Sequence, residues 1–314
     1  MTIMAKAILT LAAGLLFSSA AFAGDVPEVV ASIKPIHSLV AAIMDGVGKP
    51  DLIVEGAASP HTYSLKPSNA RALEAAKVIF WVGPGMEAFL EKPLSALGSN
   101  AVIAELDKAP GIKKLKFREG GAFEADDDGD EPAADAGNPA QQFDTHLWLD
   151  PMNAKAMAAE ITTTLVAADP ANALTYQANQ TALDDRLDAL DKEIVATVAP
   201  VKDKPFVVFH DAYQYFERKY GVRVAGSITV SPDAIPGAAR ISEIHEKVAT
   251  LGATCVFAEP QFEPRLIDVV IEGTSAKSGV LDPEAATLKE GPELYFDLMH
   301  GIANSLKSCL SQDS

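Results

Sequence analysis

Short apolar runs alternate with helix-like segments along this chain, and this alternation limits the fold more than any other feature. In the first half, the runs predicted as strands are Val29–Ile33, Asp51–Glu55, Val78–Val82 and Ala101–Leu106. The segments predicted as helices are Pro35–Met44, Pro67–Ala76, Met86–Leu97 and a helix that opens at Asp150-Pro151. Strand–helix alternation at this spacing is typical of a parallel sheet covered by helices.

The second half repeats the pattern after one long helical segment. Large aliphatic residues recur on related turns between Pro170 and Val198, so we predict a single helix of about 28 residues, roughly 42 Å long. The strands predicted after it are Phe206–Phe209, Val222–Ala225, Thr254–Ala258 and Ser278–Leu281, and a C-terminal helix runs from about Glu293 to Cys309. A helix of this length suits a rigid connection between two lobes.

The predicted fold is therefore α/β, with two lobes that each contain a parallel sheet flanked by helices. One long rigid helix joins the lobes, and a cleft lies between them. We predict the N-terminal lobe at 24–168, the linking helix at 169–199 and the C-terminal lobe at 200–314. Ligands of open parallel sheets bind beyond the carboxyl ends of the strands, so the cleft is the expected site.

Histidines and acids follow several of the predicted strands. His61 follows the second strand, His210 comes directly after Phe206–Phe209, and His146 lies just ahead of the helix that opens at Asp150. Two acids occupy equivalent positions in the second half, Glu259 and Asp282. Three of the six histidines can thus face one cleft.

Three imidazoles are a donor set that suits Zn²⁺, and they leave one coordination position for a carboxylate or a water molecule. Asp282 is the best-placed acid for that position, Glu259 is the second candidate, and water remains open. Replacing one nitrogen by a carboxylate would favour harder ions such as Mn²⁺, so a third imidazole at position 210 favours zinc.

The first 23 residues predict a signal peptide. Lys6 provides a positive start, Ala7–Phe17 is apolar, and Ala21-Phe22-Ala23 provides the small residues that precede cleavage before Gly24. A membrane anchor is the alternative, but the apolar run is shorter than the about 20 residues that span a bilayer. We expect an exported protein that works in the periplasm.

The net charge of −17 excludes some partners and favours others. Such a chain repels phosphate backbones and anionic lipid, so nucleic acid and membrane surfaces are poor partners, whereas cations are good ones. Residues 118–143 concentrate acidic residues among Gly, Ala and Pro and predict a mobile surface loop. Solvation explains this loop, and weak capture of cations is a second interpretation.

The chain has two cysteines, Cys255 and Cys309. Neither lies near the cleavage point, so we expect no lipid anchor. In an oxidising compartment a disulfide between them is favoured, and a pair of soft metal ligands is the alternative.

Four separated segments resemble the metal-site motifs of zinc-uptake periplasmic binding proteins. They are Ser59–Ser68 (SPHTYSLKPS), Asp144–Pro151 (DTHLWLDP), Val208–Tyr213 (VFHDAY) and Cys255–Phe262 (CVFAEPQF). The resemblance covers essentially the whole mature chain. It implies two lobes joined by a rigid helix, with one metal in the cleft, and delivery of the ion to an ATP-driven membrane permease.

The resemblance also implies roles for particular residues. His61, His146 and His210 match the histidine ligands of the family, and Asp282 matches an acid that binds the metal in some members. The two cysteines match a known disulfide. Two features depart from the family: Pro60 stands where some members have a glutamate ligand, and residues 118–143 contain no histidine.

We therefore expect a monomeric zinc carrier that is not an enzyme, whose partners are the zinc ion and an inner-membrane ABC permease. A carrier of the same architecture for Mn²⁺ or Fe²⁺ is one alternative, and an adhesin or interaction protein that binds metal is another. A zinc hydrolase is less favoured, because the chain contains no H-E-x-x-H motif and Glu259 is the only reasonable general base.

Overall fold

Two parallel four-stranded sheets form the framework of the protein, one in each half of the chain. The first contains β1 (Val29–Ala31), β2 (Asp51–Leu52), β3 (Val78–Trp81) and β4 (Val102–Glu105), in the order β2–β1–β3–β4. The second contains β5 (Pro205–His210), β6 (Arg223–Thr229), β7 (Cys255–Ala258) and β8 (Lys277–Val280), in the order β6–β5–β7–β8. The two sheets therefore share one topology.

The structure is a computed structural model, and it describes residues 26–118, 143–229, 236–251, 255–262 and 265–311. The predicted signal peptide, its cleavage site and nearly all of the predicted acidic loop lie outside the described residues. Within them, no helix is both long enough and apolar enough to span a membrane.

Helices connect and cover the strands. In the first half they are α1 (Lys34–Ile43), α2 (Pro67–Ala75), α3 (Glu91–Leu97) and α4 (Pro151–Ala168). The long helix α5 (Ala173–Val198) follows, and then come α6 (Gln214–Tyr220), α7 (Ala238–Leu251), α8 (Arg265–Ile271) and α9 (Leu294–Leu310). The predicted fold class is confirmed.

The central strands are largely buried because helices cover the sheets, and they are apolar except for His210, the last residue of β5. All four residues of β3 are buried, and so are the last five residues of β5. A strand buried on both faces carries a continuous apolar run instead of an alternating one. This burial holds the carboxyl ends of β3 and β5 in fixed positions.

Helix α5 packs against helices of both halves, namely α1, α4 and α9. Its buried side chains lie on one face and are Tyr176, Leu183, Leu187, Leu190, Ile194 and Val198. A short 3₁₀ turn at Pro170–Asn172 precedes it. The long helix expected between Pro170 and Val198 is therefore confirmed, and its apolar face joins the two halves.

The start of α4 follows the predicted local signals. Asp150 accepts a hydrogen bond from the backbone N–H of Met152 at 2.9 Å, and Pro151 occupies the first helical position. A carboxylate cap with proline at the first position is a favourable helix start. This start fixes the chain just after His146.

The segment predicted as one helix over Met86–Leu97 is divided in the structure. A 3₁₀ turn at Ala88–Leu90 leads into α3, which begins at Glu91. Pro93 lies in the first turn of α3, where its missing N–H leaves no helical hydrogen bond unmade. The proline thus favours a new helix start over a continuous helix.

Strand β6 is longer than the predicted Val222–Ala225. It continues to Thr229, which pairs with His210 at the end of β5. The β5–β6 register shifts between Phe206 and Val207, and the pairing resumes beyond this irregularity. His210 is consequently the last residue of β5 instead of the first residue after it.

The disulfide expected between Cys255 and Cys309 is present. It links the first residue of β7 to the last turn of α9. The cysteines are therefore not metal ligands, which settles the alternative in favour of the disulfide.

Candidate metal centre

Three different backbone elements carry the histidines predicted as ligands. His61 lies in a 3₁₀ turn, Pro60–Thr62, whose cap is the Ser59 hydroxyl that accepts the backbone N–H of His61 at 3.3 Å. His146 is the cap of the 3₁₀ turn that leads into α4, and His210 ends β5. Strand ends and short turns with fixed caps hold side chains in defined directions.

The three histidines meet where the two halves of the chain meet. The Nε2 atoms of His61 and His146 lie 3.4 Å apart, and those of His146 and His210 lie 3.2 Å apart. One nitrogen from each of the three rings lies within 4.8 Å of the other two. His146 and His210 are buried, and His61 is only partly exposed.

This spacing fits a tetrahedral ion. Donors about 2.0–2.1 Å from a tetrahedral Zn²⁺ are separated from one another by about 3.3 Å. The separations of 3.4 and 3.2 Å match that edge length. Nitrogen atoms that face each other at this distance without a cation or a shared proton repel, so the arrangement favours an ion between the rings.

Asp144 fixes the ring of His146. Its Oδ1 lies 2.7 Å from Nδ1 of that ring and also accepts the backbone N–H of His146 at 3.0 Å. An ionised carboxylate only accepts hydrogen bonds, so Nδ1 carries the hydrogen and Nε2 keeps its lone pair for a metal. Burial raises the pKa of Asp144 to about 7.

Glu259 does the same for His210. Both of its oxygens lie near Nδ1 of the ring, at 2.8 and 2.7 Å, and Oε1 also accepts the backbone N–H at 3.2 Å. Glu259 follows β7 directly, and β7 neighbours β5 in the sheet, so topology brings the two side chains together. Glu259 therefore contacts the nitrogen of His210 that does not face the other rings.

Burial and mutual contact set the charge of the three rings. Burial lowers the pKa of His61 and of His146 well below the ordinary value, and the neighbouring imidazoles lower both further. Burial also acts to lower the pKa of His210, but the adjacent Glu259 carboxylate outweighs it and the net pKa is raised. Two rings are thus neutral and ready to bind a cation at neutral pH.

Aromatic side chains line two of the rings. Trp148 meets His146 edge-on with ring centroids 5.4 Å apart, and Phe262 meets His210 edge-on at 6.0 Å. Phe262 also stacks on Phe209 at 4.6 Å. These apolar neighbours limit water around the nitrogen cluster, which strengthens electrostatic attraction for a cation.

Glu284 is the acid nearest to His61. Its Oε1 lies 3.8 Å from Nε2 of His61, and its side chain is 6% exposed. Burial raises the pKa of Glu284 to about 8. The sequence interpretation missed it, because Asp282, two residues earlier, was taken as the acid that follows the last strand.

Asp282 itself is engaged within its own loop. It accepts hydrogen bonds from Gln261 Nε2 at 3.3 Å, from the backbone N–H of Glu284 at 3.4 Å and from that of Thr287 at 3.3 Å. Among the described residues, the mutually close set of metal-binding atoms contains only the three histidines. Metal binding by Asp282 or by Glu259 stays a prediction.

The remaining histidines lie elsewhere. His37 Nε2 contacts the Pro50 carbonyl at 3.0 Å, His245 Nδ1 contacts the Val270 carbonyl at 3.0 Å, and His300 pairs with Glu193 at 2.9 Å. None of the three belongs to the set of mutually close metal-binding atoms. The structure thus divides the histidines as the strand-end argument did.

Comparison with known proteins identifies the family. A family described as zinc-uptake complex component A, periplasmic (ZnuA), matches residues 29–309. The chain belongs to this family. It is 53% identical to the high-affinity zinc uptake system protein ZnuA of Brucella suis over 94% of this chain and 95% of that protein. Identity to ZnuA of Yersinia pestis is 37%, over 90% of this chain and 91% of that protein.

Solved structures share the fold. A crystal structure of ZnuA superimposes with a TM-score of 0.75 at 25% identity, over 91% of this chain and all of the other. A ZnuA deletion mutant with zinc bound gives a TM-score of 0.74 at 25% identity, over 92% of this chain and all of the other. Membership of the ZnuA family therefore agrees with the resemblance noted in the four motifs.

Proposed function

We propose that this protein captures Zn²⁺ with His61, His146 and His210 and delivers the ion to an ABC-type permease for import. The observation that carries the proposal is the convergence of three Nε2 atoms, at separations of 3.4 and 3.2 Å, from elements remote in sequence. The names of the relatives, high-affinity zinc uptake system proteins, support the same role.

The site is built for capture and release instead of catalysis. Two rings are held by carboxylates before any ion arrives, so little ordering is needed on binding. His61 and His146 come from the first half and His210 from the second, so movement of one half against the other would separate the donors. A permease that drives such a movement would release the ion.

The protein works as an exported monomer. We place cleavage before Gly24, because Ala21 and Ala23 provide the small residues that signal peptidase requires. Both cysteines are consumed in the disulfide, which suits an oxidising compartment such as the periplasm. We also propose that the N-terminal lobe ends at residue 168, that the linking helix covers 169–199, and that the C-terminal lobe begins at residue 200.

Zinc is favoured over Mn²⁺ or Fe²⁺ by the donor set. Three imidazoles suit zinc, whereas manganese prefers carboxylate and other oxygen donors. Metal analysis of protein that has been refolded without metal and exposed to mixed ions at equal free concentration will separate these carriers. One zinc per chain supports the proposal, and a preference for manganese would contradict it.

An anomalous-scattering map of crystals grown with zinc gives the second test. We expect one peak at the zinc edge among the three Nε2 atoms. A zinc peak elsewhere, with the three rings apart, would contradict the proposal. Assays with ester and peptide substrates test the hydrolase alternative, and metal-dependent turnover there would show that the ion is a resident cofactor.

A further inference from the structure

A buried lysine of the first half holds a loop of the second half. Residues 282–288 follow β8, and they are called here the clasp loop. The Nζ of Lys34, at the start of α1, donates to the carbonyls of Ala285 at 3.1 Å, Ala286 at 2.8 Å and Leu288 at 2.9 Å. An ammonium group has three protons, so all of them are used on this one loop.

Trp148 holds the same loop from a second direction. Its Nε1 donates to the Pro283 carbonyl at 2.8 Å. Trp148 lies two residues after His146, so one end of the clasp loop is tied to the segment that carries a metal-binding ring. The loop is therefore held by two side chains of the first half.

The backbone of the clasp loop is strained at one position. Ala285 has a φ of 58°, in the left-handed region that is uncommon for residues other than glycine, and it is fully buried. Lys34 binds the carbonyl of this residue. Strain of this kind persists where surrounding contacts enforce it, and it concentrates at ligand-binding segments.

Glu284 lies between Pro283 and Ala285, whose carbonyls accept the hydrogen bonds from Trp148 and Lys34. Its carboxylate is buried, it forms no ion pair with a lysine or arginine among the described residues, and its Oε1 is 3.8 Å from Nε2 of His61. Its Oε2 also accepts a long hydrogen bond, 3.4 Å, from Gln261 Nε2. Ionising a buried carboxyl group that lacks a cationic partner is costly, and a cation beside it offsets that cost.

The nitrogen cluster lacks a negative donor of its own. Asp144 and Glu259 are bound to the far nitrogens of His146 and His210, and Asp282 is bound within the clasp loop. A divalent ion held by three neutral imidazoles in a buried site gains from one carboxylate at the fourth position. Asp211, next to His210, lies 3.7 Å from the Arg118 guanidinium, so among the described residues Glu284 is the remaining acid beside the cluster that has no lysine or arginine partner.

We infer that Glu284 is the oxygen donor at the fourth position of the ion, and that Lys34 and Trp148 position it there by holding the clasp loop. Glu284 is outside the set of atoms that lie mutually within 4.8 Å, so its side chain turns toward the ion on binding. This inference rests on the proposed function, since it assigns a further ligand at the same site.

The first test compares Glu284→Gln with the wild-type protein in competition with a chromogenic chelator. We expect zinc affinity to fall by at least about 10- to 100-fold, the range seen when partners of metal ligands are removed. The matched control is Glu290→Gln, which changes an exposed acid just beyond the clasp loop and should leave affinity unchanged. Asp282→Asn, measured beside it, tests the other acid.

A second readout separates coordination from a structural effect. Replacing the charged carboxylate with a neutral amide oxygen should lower the affinity for Mn²⁺ more than that for Zn²⁺, and it should change the visible absorption of the Co²⁺-loaded protein. A variant that merely loosens the fold would weaken all three ions together with an unchanged Co²⁺ spectrum.

Lys34→Met tests the positioning role. It should weaken zinc binding and alter the Co²⁺ spectrum in the same direction as Glu284→Gln. The loss of zinc-binding free energy in the double variant should be smaller than the sum of the losses in the two single variants. If Lys34→Met does not fold, Trp148→Phe takes its place, since it removes the bond to the Pro283 carbonyl and keeps an aromatic ring beside His146. Additive losses from the two sites would overturn the positioning role.

The outcomes distinguish this inference from the function on which it rests. Tight zinc binding by the wild-type protein with unchanged affinity and Co²⁺ spectrum in Glu284→Gln overturns the role of Glu284 and leaves the proposed function intact. Failure of the wild-type protein to bind zinc overturns both. A loss in Asp282→Asn alone assigns the fourth position to Asp282 and overturns the inference.

Discussion

The carboxylate of Glu259 accepts two N–H groups of His210, the ring Nδ1–H at 2.7 Å and the backbone N–H at 3.2 Å. Glu259 thereby selects the tautomer whose Nε2 lone pair faces the other two rings. Asp144 does the same for His146 through its Oδ1. The acids that hold the rings matter for binding although the ion need not touch them.

Replacing Glu259 with Gln should lower zinc affinity by about 10- to 100-fold, the usual loss for a partner of a metal ligand. The amide keeps the size of the side chain but removes the charge that holds the Nδ1–H. Chelator competition measures the change. Glu272→Gln, at an exposed position of the same half, is the control, and equal affinities in the two variants would contradict this role.

Replacing His210 with Ala should lower zinc affinity by orders of magnitude, because it removes one of the three proposed nitrogen donors, the one among them that comes from the second half of the chain. His300→Ala provides the control, since His300 is an exposed residue that pairs with Glu193. The same competition assay applies. Wild-type affinity in His210→Ala would rule out the residue as a ligand.

The framework of this protein was accessible from sequence because its strands carry continuous apolar runs and its helices carry clear start signals. Val78–Trp81 and the Asp150-Pro151 start are examples in which local chemistry and final structure agree. Strand ends then located His61 beyond β2 of the first sheet and His210 at the end of β5 in the second, since ligands of parallel sheets bind beyond the carboxyl ends of the strands.

The acids could be assigned less fully, because their roles depend on contacts between elements remote in sequence. Asp144 lies two residues before His146, and this short spacing was the available signal for its contact with the ring. The position of Glu284 depends on the hydrogen bonds from Lys34 to the clasp loop, which join residues about 250 positions apart in the sequence. The sequence analysis ranked Asp282 ahead of Glu259 and did not include Glu284, because the approach of each acid to the rings depends on such remote contacts.

Zinc affinity should fall as the pH is lowered, and among the three rings His210 is the first for which protons compete with the ion. The net pKa of this ring is raised above its usual 6.5. Below that pKa the metal-free protein holds a proton on His210 that the ion must displace, so affinity should drop about tenfold per pH unit. The pKa values of His61 and His146 are lowered, so protons compete with the ion for these two rings only at lower pH.

Titration of zinc binding at several pH values, with a chelator calibrated at each, measures this dependence. Because the pKa of His210 is raised, the fall in zinc affinity should begin at a higher pH than it would with an ordinary imidazole. In Glu259→Gln the carboxylate that raises this pKa is gone, so the onset should move to lower pH. An onset that does not move would contradict the pairing of Glu259 with His210.

Removal of the disulfide should destabilise the protein by about 4 kcal/mol, from the entropy of closing a loop with a sequence separation of 54 residues. The variant Cys255→Ala/Cys309→Ala and the wild-type protein are compared by denaturant unfolding, each with and without reductant. Reductant should lower the stability of the wild-type protein only. Zinc affinity of the folded variant should change little, since the disulfide joins β7 to α9 away from the ring nitrogens.

Helix α5 should respond to substitution on its buried face and tolerate it on its exposed face. Leu187 is fully buried and Leu174 is 83% exposed on the same helix, so they form a matched pair. Leu187→Ala leaves a cavity between helices of both halves and should cost about 2–5 kcal/mol, whereas Leu174→Ala should change stability by less than about 0.5 kcal/mol. Denaturant unfolding of the metal-free proteins measures both. Equal effects of the two substitutions would show that α5 does not hold the halves through this face.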